Sequence, residues 1–477
     1  MIATLLCIAR DEWRYWRRSR LALSLLIIAL ILAIASVFVT HTSMQLEAEQ
    51  RTHLQTLAQQ KFADQPDRHP HRMVHYGHYV FRAPPPLSSL DPGIDPFTGT
   101  SVFLEGHRRN GATFSEQQQS SGLSWLGTLS PAFVMQLLTP LLLIVMGYGA
   151  MTREREAGTF DFLKVQGITP PYLIAGKGLA LISAGLLVFS PFAIGAIWAL
   201  INGAEGSATA MFLVSYVLYI LIWSSLILLA STLSANNAAS FSSLTCLWIV
   251  LCLVLPRIAS NTATVVVASP GKLETDFAVL QELRKLGDGH NSNDPAFSAL
   301  KSSLLAKYEV DKIEDLPVNF KGIVAQKSEA KLTKILNQFS EKQMQEAQDQ
   351  ANVARQFGWL SPAIAIQNAS MKLAGTDLEN YHRFLREAEA VRFSFVQSLN
   401  KLHAENVSYT DDANKYKDHE THHRAKVDAK NWQILDNFHF TPLAADQRIS
   451  NSQLPLTQLL MLFLLCCGVT FFAGKRV

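Results

Sequence analysis

The sequence predicts an α-helical polytopic membrane protein with six transmembrane helices. A mainly helical extracytoplasmic domain lies between spans five and six, and a smaller irregular one between spans one and two. Charged residues make up only 17% of the chain against 48% hydrophobic ones. They are also confined to blocks: residues 21–40, 131–151, 178–201 and 449–474 contain no Asp, Glu, Lys or Arg, nor do the 51 residues between Glu205 and Arg257. Crossing the hydrocarbon core takes about 20 apolar residues at about 1.5 Å each, so the longest run accommodates two spans with the polar stretch Ser231–Ser240 as their turn. Backbone groups in lipid must satisfy one another, which makes these spans helices. Core helices of a soluble protein rarely run so far without a charge.

Residues 1–20 form a cytoplasmic interfacial helix, with Trp13, Tyr15 and Trp16 suited to the headgroup layer and Arg10, Arg14, Arg17 and Arg18 to anionic lipid. Span one covers 21–40; it exceeds a signal-peptide apolar core and lacks a small-x-small cleavage site before His41, so it is expected to stay as an anchor. The first extracytoplasmic segment covers 41–130. It begins as a polar helical extension over 41–62 and continues as a Pro/Gly-rich stretch over 63–112, expected to form turns and short strands.

Span two covers 131–151, a cytoplasmic segment 152–177, and spans three, four and five 178–201, 207–232 and 238–257. The second extracytoplasmic segment, 258–448, carries apolar residues at helical spacing over 332–354 and 381–402, the latter opened by a capping box at Thr376-Asp377-Leu378-Glu379. Leu129-Ser130-Pro131-Ala132 and Leu360-Ser361-Pro362-Ala363 echo each other as helix starts with Pro in the first turn. Span six covers 454–474.

Basic residues set the orientation. The amino-terminal arginines, then Arg153, Arg155, Lys164 and Lys177, then Lys475 and Arg476 all fall on one side of a six-span chain. That side is assigned to the cytoplasm, with both termini there and the chain in a bacterial inner membrane. The five cysteines lie in or near spans, so no disulfide framework is expected outside.

Most chemistry is excluded. The pairs Gly176-Lys177, Gly271-Lys272 and Gly474-Lys475 lack the upstream Gly and following Ser/Thr of a phosphate loop, so the chain is not expected to hydrolyse ATP. His419-Glu420-Thr421-His422-His423 fits the zinc-peptidase pattern H-E-x-x-H, but no Glu follows downstream as third ligand, and a solvated helix face is the preferred reading. His69, His71, His75 and His78 are likewise assigned to a polar loop, and no metal is assigned to the chain. The spans hold no charge that would drive ion coupling, which places the energy source in a partner.

The segment between spans two and three reads Gly147-Tyr-Gly-Ala-Met-Thr-Arg153-Glu154-Arg155-Glu156-Ala-Gly158-Thr159-Phe160-Asp161-Phe162-Leu163, then Gly167-Ile-Thr-Pro170-Pro171-Tyr172 and Gly176-Lys177. It resembles the permeases of ABC-2 type ATP-binding cassette exporters, in a subfamily with an enlarged extracytoplasmic domain of unknown function. The resemblance extends to His75-Tyr-Gly77-His-Tyr79, Leu104-Glu105-Gly106-His107-Arg108-Arg109 and Leu360-Ser361-Pro362. It implies a non-catalytic subunit forming the translocation pathway, an ATPase dimer as partner (with ATP and Mg bound there), a second similar permease and a lipid environment. No nucleic-acid partner is expected. It assigns ATPase coupling to Arg153, Glu154, Arg155, Glu156, Gly158, Thr159, Phe160, Phe162, Leu163 and Lys177. The rival readings are an envelope scaffold or sensor without transport, and a membrane-bound zinc peptidase.

Overall fold

The computed structural model describes residues 2–113, 129–286, 289, 291, 293–435 and 438–476. Among the described residues, six helices are long and apolar enough to cross a bilayer. Helix α1 (Ile2–Arg18) precedes the first of them. A break at Ser19, whose hydroxyl accepts from the Ala22 amide at 3.3 Å, starts α2 (Arg20–Ala63). Helix α2 continues beyond its apolar part for more than 20 residues, because Thr40–Lys61 contains neither Gly nor Pro to stop it.

The second span, α4, is the run Pro131–Glu156, with a π turn over Val134–Leu138 and a turn over 148–151 before its last segment, Thr152–Glu156. It follows α3 (Pro70–Tyr76) and an antiparallel pair, β1 (His78–Phe81) with β2 (Ser101–Leu104), in the register His78↔Leu104 to Phe81↔Ser101. Helix α5 (Thr159–Val165) leads to spans α6 (Pro170–Ile201), α7 (Gly206–Leu233) and α8 (Asn237–Val266). Asn236 caps α8 by accepting from the Ala239 amide at 2.8 Å, which makes the turn between α7 and α8 short. Helix α8 extends past residue 257, so the boundary between span and domain is a continuous helix instead of a loop.

The domain that follows comprises α9 (Lys272–Leu283), α10 (Ser298–Tyr308), α11 (Phe320–Gln356), α12 (Pro362–Ala374), α13 (Leu378–Asn406), α14 (Tyr409–Asn414), α15 (His419–Arg424) and α16 (Ala445–Asn451). Helix α17 (Gln453–Arg476) is the last span. The cap of α13 is Asp377, which accepts from the Asn380 amide at 3.3 Å, one residue later than the Thr376 expected. Thr376 is occupied elsewhere, its hydroxyl donating to the Asp91 carbonyl at 3.1 Å.

The largest apolar core lies among the spans, around α7, whose Phe212, Tyr216, Tyr219, Ile222, Trp223 and Ile227 are all buried. Helix α12 joins this core although it is too short to cross a bilayer: Ala365, Ile366, Ala369 and Leu373 are buried in it. Ser130 and Ser361 cap α4 and α12 in the same way, accepting from Phe133 and Ile364 amides at 3.1 and 3.3 Å, each with Pro following. Ser361 also donates to the Leu251 carbonyl of α8 at 2.6 Å. Ser370 of α12 donates to Asp91 and bonds the Tyr216 hydroxyl at 2.8 Å, which in turn accepts from Gln136 at 2.8 Å. Burial pushes the Asp91 carboxyl above its ordinary range. Smaller cores hold the domain together, one joining Phe62 of α2 to Met73, Val74, Phe395 and Trp432.

Candidate functional site

One end of the bundle gathers α1, the segment 152–169, the α7–α8 turn and the carboxyl end of α17; this basic end carries the residues singled out above. Its organising element is α1. Ala9, Glu12 and Trp16 recur at helical spacing and are buried, so this face of α1 packs on protein instead of lying in lipid. Trp16 donates to the Met146 carbonyl at 3.0 Å and Trp13 to Ser183 at 2.8 Å, tying α4 and α6 to the same helix. The tryptophans expected at the headgroup layer are thus tied to the spans. A buried indole N–H needs a partner, and the nearest ones are within the protein.

Docking α1 places Glu12 beside the charge run Arg153–Glu156. The Lys177 ammonium lies 2.7 Å from Glu12 and 2.7 Å from Glu154, and Arg153 lies 2.5 Å from Glu12. Arg153 also covers the Tyr15 ring at 3.8 Å. Two acids and two bases close a neutral knot among α1, α4 and α6. Arg155 instead reaches the end of α7, donating to the Ser231 and Thr232 carbonyls at 2.5 and 3.0 Å. Cations favour helix carboxyl ends. Glu156 accepts from the Asn237 amide at 2.8 Å and from its side chain, so it stabilises the amino end of α8. Each of the four charges has an intramolecular partner, so the run braces its own chain, in contrast to its neighbours.

Those neighbours are on α5. Gly158, at φ +66, turns the chain between α4 and α5, and a side chain there would meet nothing within 4 Å, so it faces open space. Thr159 donates to the Glu154 carboxylate at 2.5 Å, tying α5 to the knot. Phe160 is buried and Leu163, three residues on, packs against the core. Phe162 and Val165 point away, 73% and 87% exposed. Sequence reasoning missed Glu12, Ser231 and Asn237 as members of this site. The spacing of Ala9, Glu12 and Trp16 on one helical face was the available signal for the first.

Among the described residues, groups of side chains able to hold a metal lie outside the spans, in and around α3, the loop after β2, α13 and α14. His419 and His423 are in neither group; α15 is a short exposed helix, and its Glu420 side chain is 90% exposed. His69, His403 and Asp412 converge in the interior, with Asp412 at 3.1 and 2.9 Å from the two rings and 2.7 Å from Lys415. His69 accepts the His71 amide on Nδ1, so its Nε2 carries the proton given to Asp412. Burial alone would raise Asp412; bonds from His403, His69 and Lys415 outweigh it and hold the carboxyl well below its usual range. This cluster is a buried ion knot. His78 is buried separately, which pushes its pKa down to about 4. The other group, His71, His75 and His107, spans α3 and the loop after β2.

These features define an α-helical, membrane-embedded protein with a helical domain inserted before its last span. Within that domain, residues 272–441 match a family described as a domain of unknown function (DUF3526). The match begins at α9 and ends after α15, so it takes in α12, the helix buried among the spans. No curated protein matches the chain.

Proposed function

We propose that this chain is the membrane-spanning subunit of an ATP-binding cassette exporter of the ABC-2 type, driven by a separate ATPase dimer that holds ATP and Mg. The basic end faces the cytoplasm of a bacterial inner membrane, both termini with it, and a second, similar permease completes the pathway. The observation that carries the reading is α5. It is a short helix that projects Phe162 and Val165 from a turn otherwise braced by paired charges. Exposed aromatic anchors on a rigid mount are what protein interfaces use, and pushing on α5 would load α4 and α6 through Thr159, Glu154 and Lys177.

The test is co-purification. The chain, expressed with a nucleotide-binding subunit encoded beside it, should form a complex whose ATPase activity depends on the chain. Phe162→Ala should weaken that complex by about 1–3 kcal/mol, a truncated interface anchor, and leave the permease folded. Failure of any such ATPase to bind, with the chain intact, would refute the exporter reading and favour a scaffold. Normal binding and activity with Phe162→Ala would remove α5 from the interface.

A further inference from the structure

Helix α3 puts His71 and His75 one turn apart, and their Nε2 atoms lie 3.3 Å from each other. The third ring comes from elsewhere in the chain. After β2, Gly106 packs so closely on α3 that an added Cβ would sit 2.1 Å from Val74 Cγ1, and its amide donates to the Val74 carbonyl at 3.0 Å. The next residue, His107, is held at φ +64, a conformation that non-glycine residues adopt at a cost. The result is a His107 ring 5.8 Å from that of His71 and 5.2 Å from that of His75, centroid to centroid. One ligand atom from each of the three falls within 4.8 Å of the others.

What holds His107 there is Glu329 of α11. One carboxylate oxygen accepts the His107 backbone amide at 3.2 Å and its Nδ1 at 2.9 Å. The other oxygen accepts Arg392 of α13 at 2.6 Å. Salt-bridged to Arg392, this carboxylate serves as the acceptor for His107 Nδ1, which leaves Nε2, an atom shielded from solvent, as the ring nitrogen for a metal. A carboxylate behind the distal nitrogen of an imidazole is the support that metal-ligating histidines use. Four ligands about 2.0–2.1 Å from a zinc ion stand roughly 3.3 Å apart in a tetrahedron, the separation found between His71 and His75.

We propose that His71, His75 and His107 bind a late first-row divalent ion, Zn²⁺ foremost, with Glu329 as positioning residue. Three imidazole nitrogens suit Zn²⁺, Cu²⁺ or Ni²⁺ over Mg²⁺ or Ca²⁺. His75 is exposed, so a fourth position opens to solvent on its side. The site lies at α3 and the loop after β2, braced by α11 of the domain and away from α5, and its test needs no ATPase.

The full chain, purified in detergent with affinity tags removed and stripped by chelator, is titrated with Zn²⁺ against a chromophoric competitor and with Co²⁺ by visible absorption. One equivalent of each should bind, with ligand-field bands of a nitrogen-rich, low-coordinate site. His75→Ala and His71→Ala/His75→Ala should abolish this equivalent while leaving thermal unfolding near that of the metal-free parent. Glu329→Gln should weaken binding about 10–100-fold. His419→Ala/His423→Ala should bind as the parent does. No stoichiometric ion on the parent, an equivalent that survives in His71→Ala/His75→Ala, or one lost in His419→Ala/His423→Ala would each overturn the assignment.

Discussion

Lys177→Met tests the charge knot at the basic end. Lys177 is 3% exposed and touches two carboxylates at 2.7 Å, Glu12 (6% exposed) and Glu154 (19%). Replacing it by an apolar side chain of similar length leaves both acids to share Arg153, 2.5 Å from the first and 3.7 Å from the second. Removing one partner from a buried pair costs about 3–5 kcal/mol. Because Arg153 still neutralises Glu12, the low end applies, about 3 kcal/mol. Glu12→Leu added to Lys177→Met makes the knot neutral again, with Arg153 and Glu154 as the remaining pair. The double variant should therefore recover about 2 kcal/mol relative to the sum of the singles, within the range of contacting residues. Cys252 and Cys466 are buried, so once the exposed Cys7 and Cys246 are replaced by Ser a thiol-reactive fluorophore reports thermal unfolding in detergent. Lys177→Met should lower the midpoint by about 3–6 °C, scaling known per-kcal shifts down for a chain of this length. A midpoint unchanged in Lys177→Met, or single costs that simply add, would refute the knot.

Other outcomes follow from the same contacts. Glu156→Lys should cost about 1 kcal/mol through the start of α8, a change read in the same thermal assay, so any loss of coupling must be scored at matched stability. His78 has its pKa lowered from 6.5 to about 4 by burial, so its neutral form favours folding above pH 6.5 and that contribution is lost as pH falls toward 4. Relative to His78→Leu, the parent should lose about 2–3 kcal/mol over that window, and parallel pH–stability curves would contradict this. His419→Ala/His423→Ala should alter stability by less than about 0.5 kcal/mol, as exposed positions do. An impermeant thiol reagent should label Cys introduced at the exposed Ser302 in cells without an outer-membrane barrier, and at Val165 only after permeabilisation; the reverse pattern would invert the orientation. Ser120, a tempting probe of the first segment, lies outside the described residues.

The spans were legible because lipid leaves so little choice: an uncharged run of sufficient length has to be a helix, and five such runs define six of them. Helix caps were legible to within a residue, as Asp377 beside Thr376 illustrates. Partners across the fold were not. Glu12 and Lys177 are 165 positions apart, and only the docking of α1 on α6 brings them together. Helix α12 has the composition of a core helix and the length of neither span nor loop; whether it joined the domain or the bundle depended on packing that periodicity does not encode. Helix α3 was hidden in a Pro/Gly-rich stretch expected to be turns, so the one-turn spacing of His71 and His75 carried no weight until Pro70 proved to be a helix start. In the segment 152–169, residue types alone did not show which side chains face which way: the charged ones turn inward to their own chain and the apolar pair on α5 faces out.

Helix α2 is a single rod from Arg20 to Ala63, about 65 Å long at the usual rise. One end adjoins the hinge at Ser19; near the other, Phe62 stacks edge-on against Phe395 of α13 at 5.5 Å and is 2% exposed. A rod converts angle into distance in proportion to its length. Pivoting about Ser19 by about 5° would sweep Phe62 through about 5 Å, roughly a whole helical turn of displacement. A close-packed core does not absorb so large a shift by bending. Tilting of the first span is therefore either forbidden or transmitted, and the domain at its far end must travel with it.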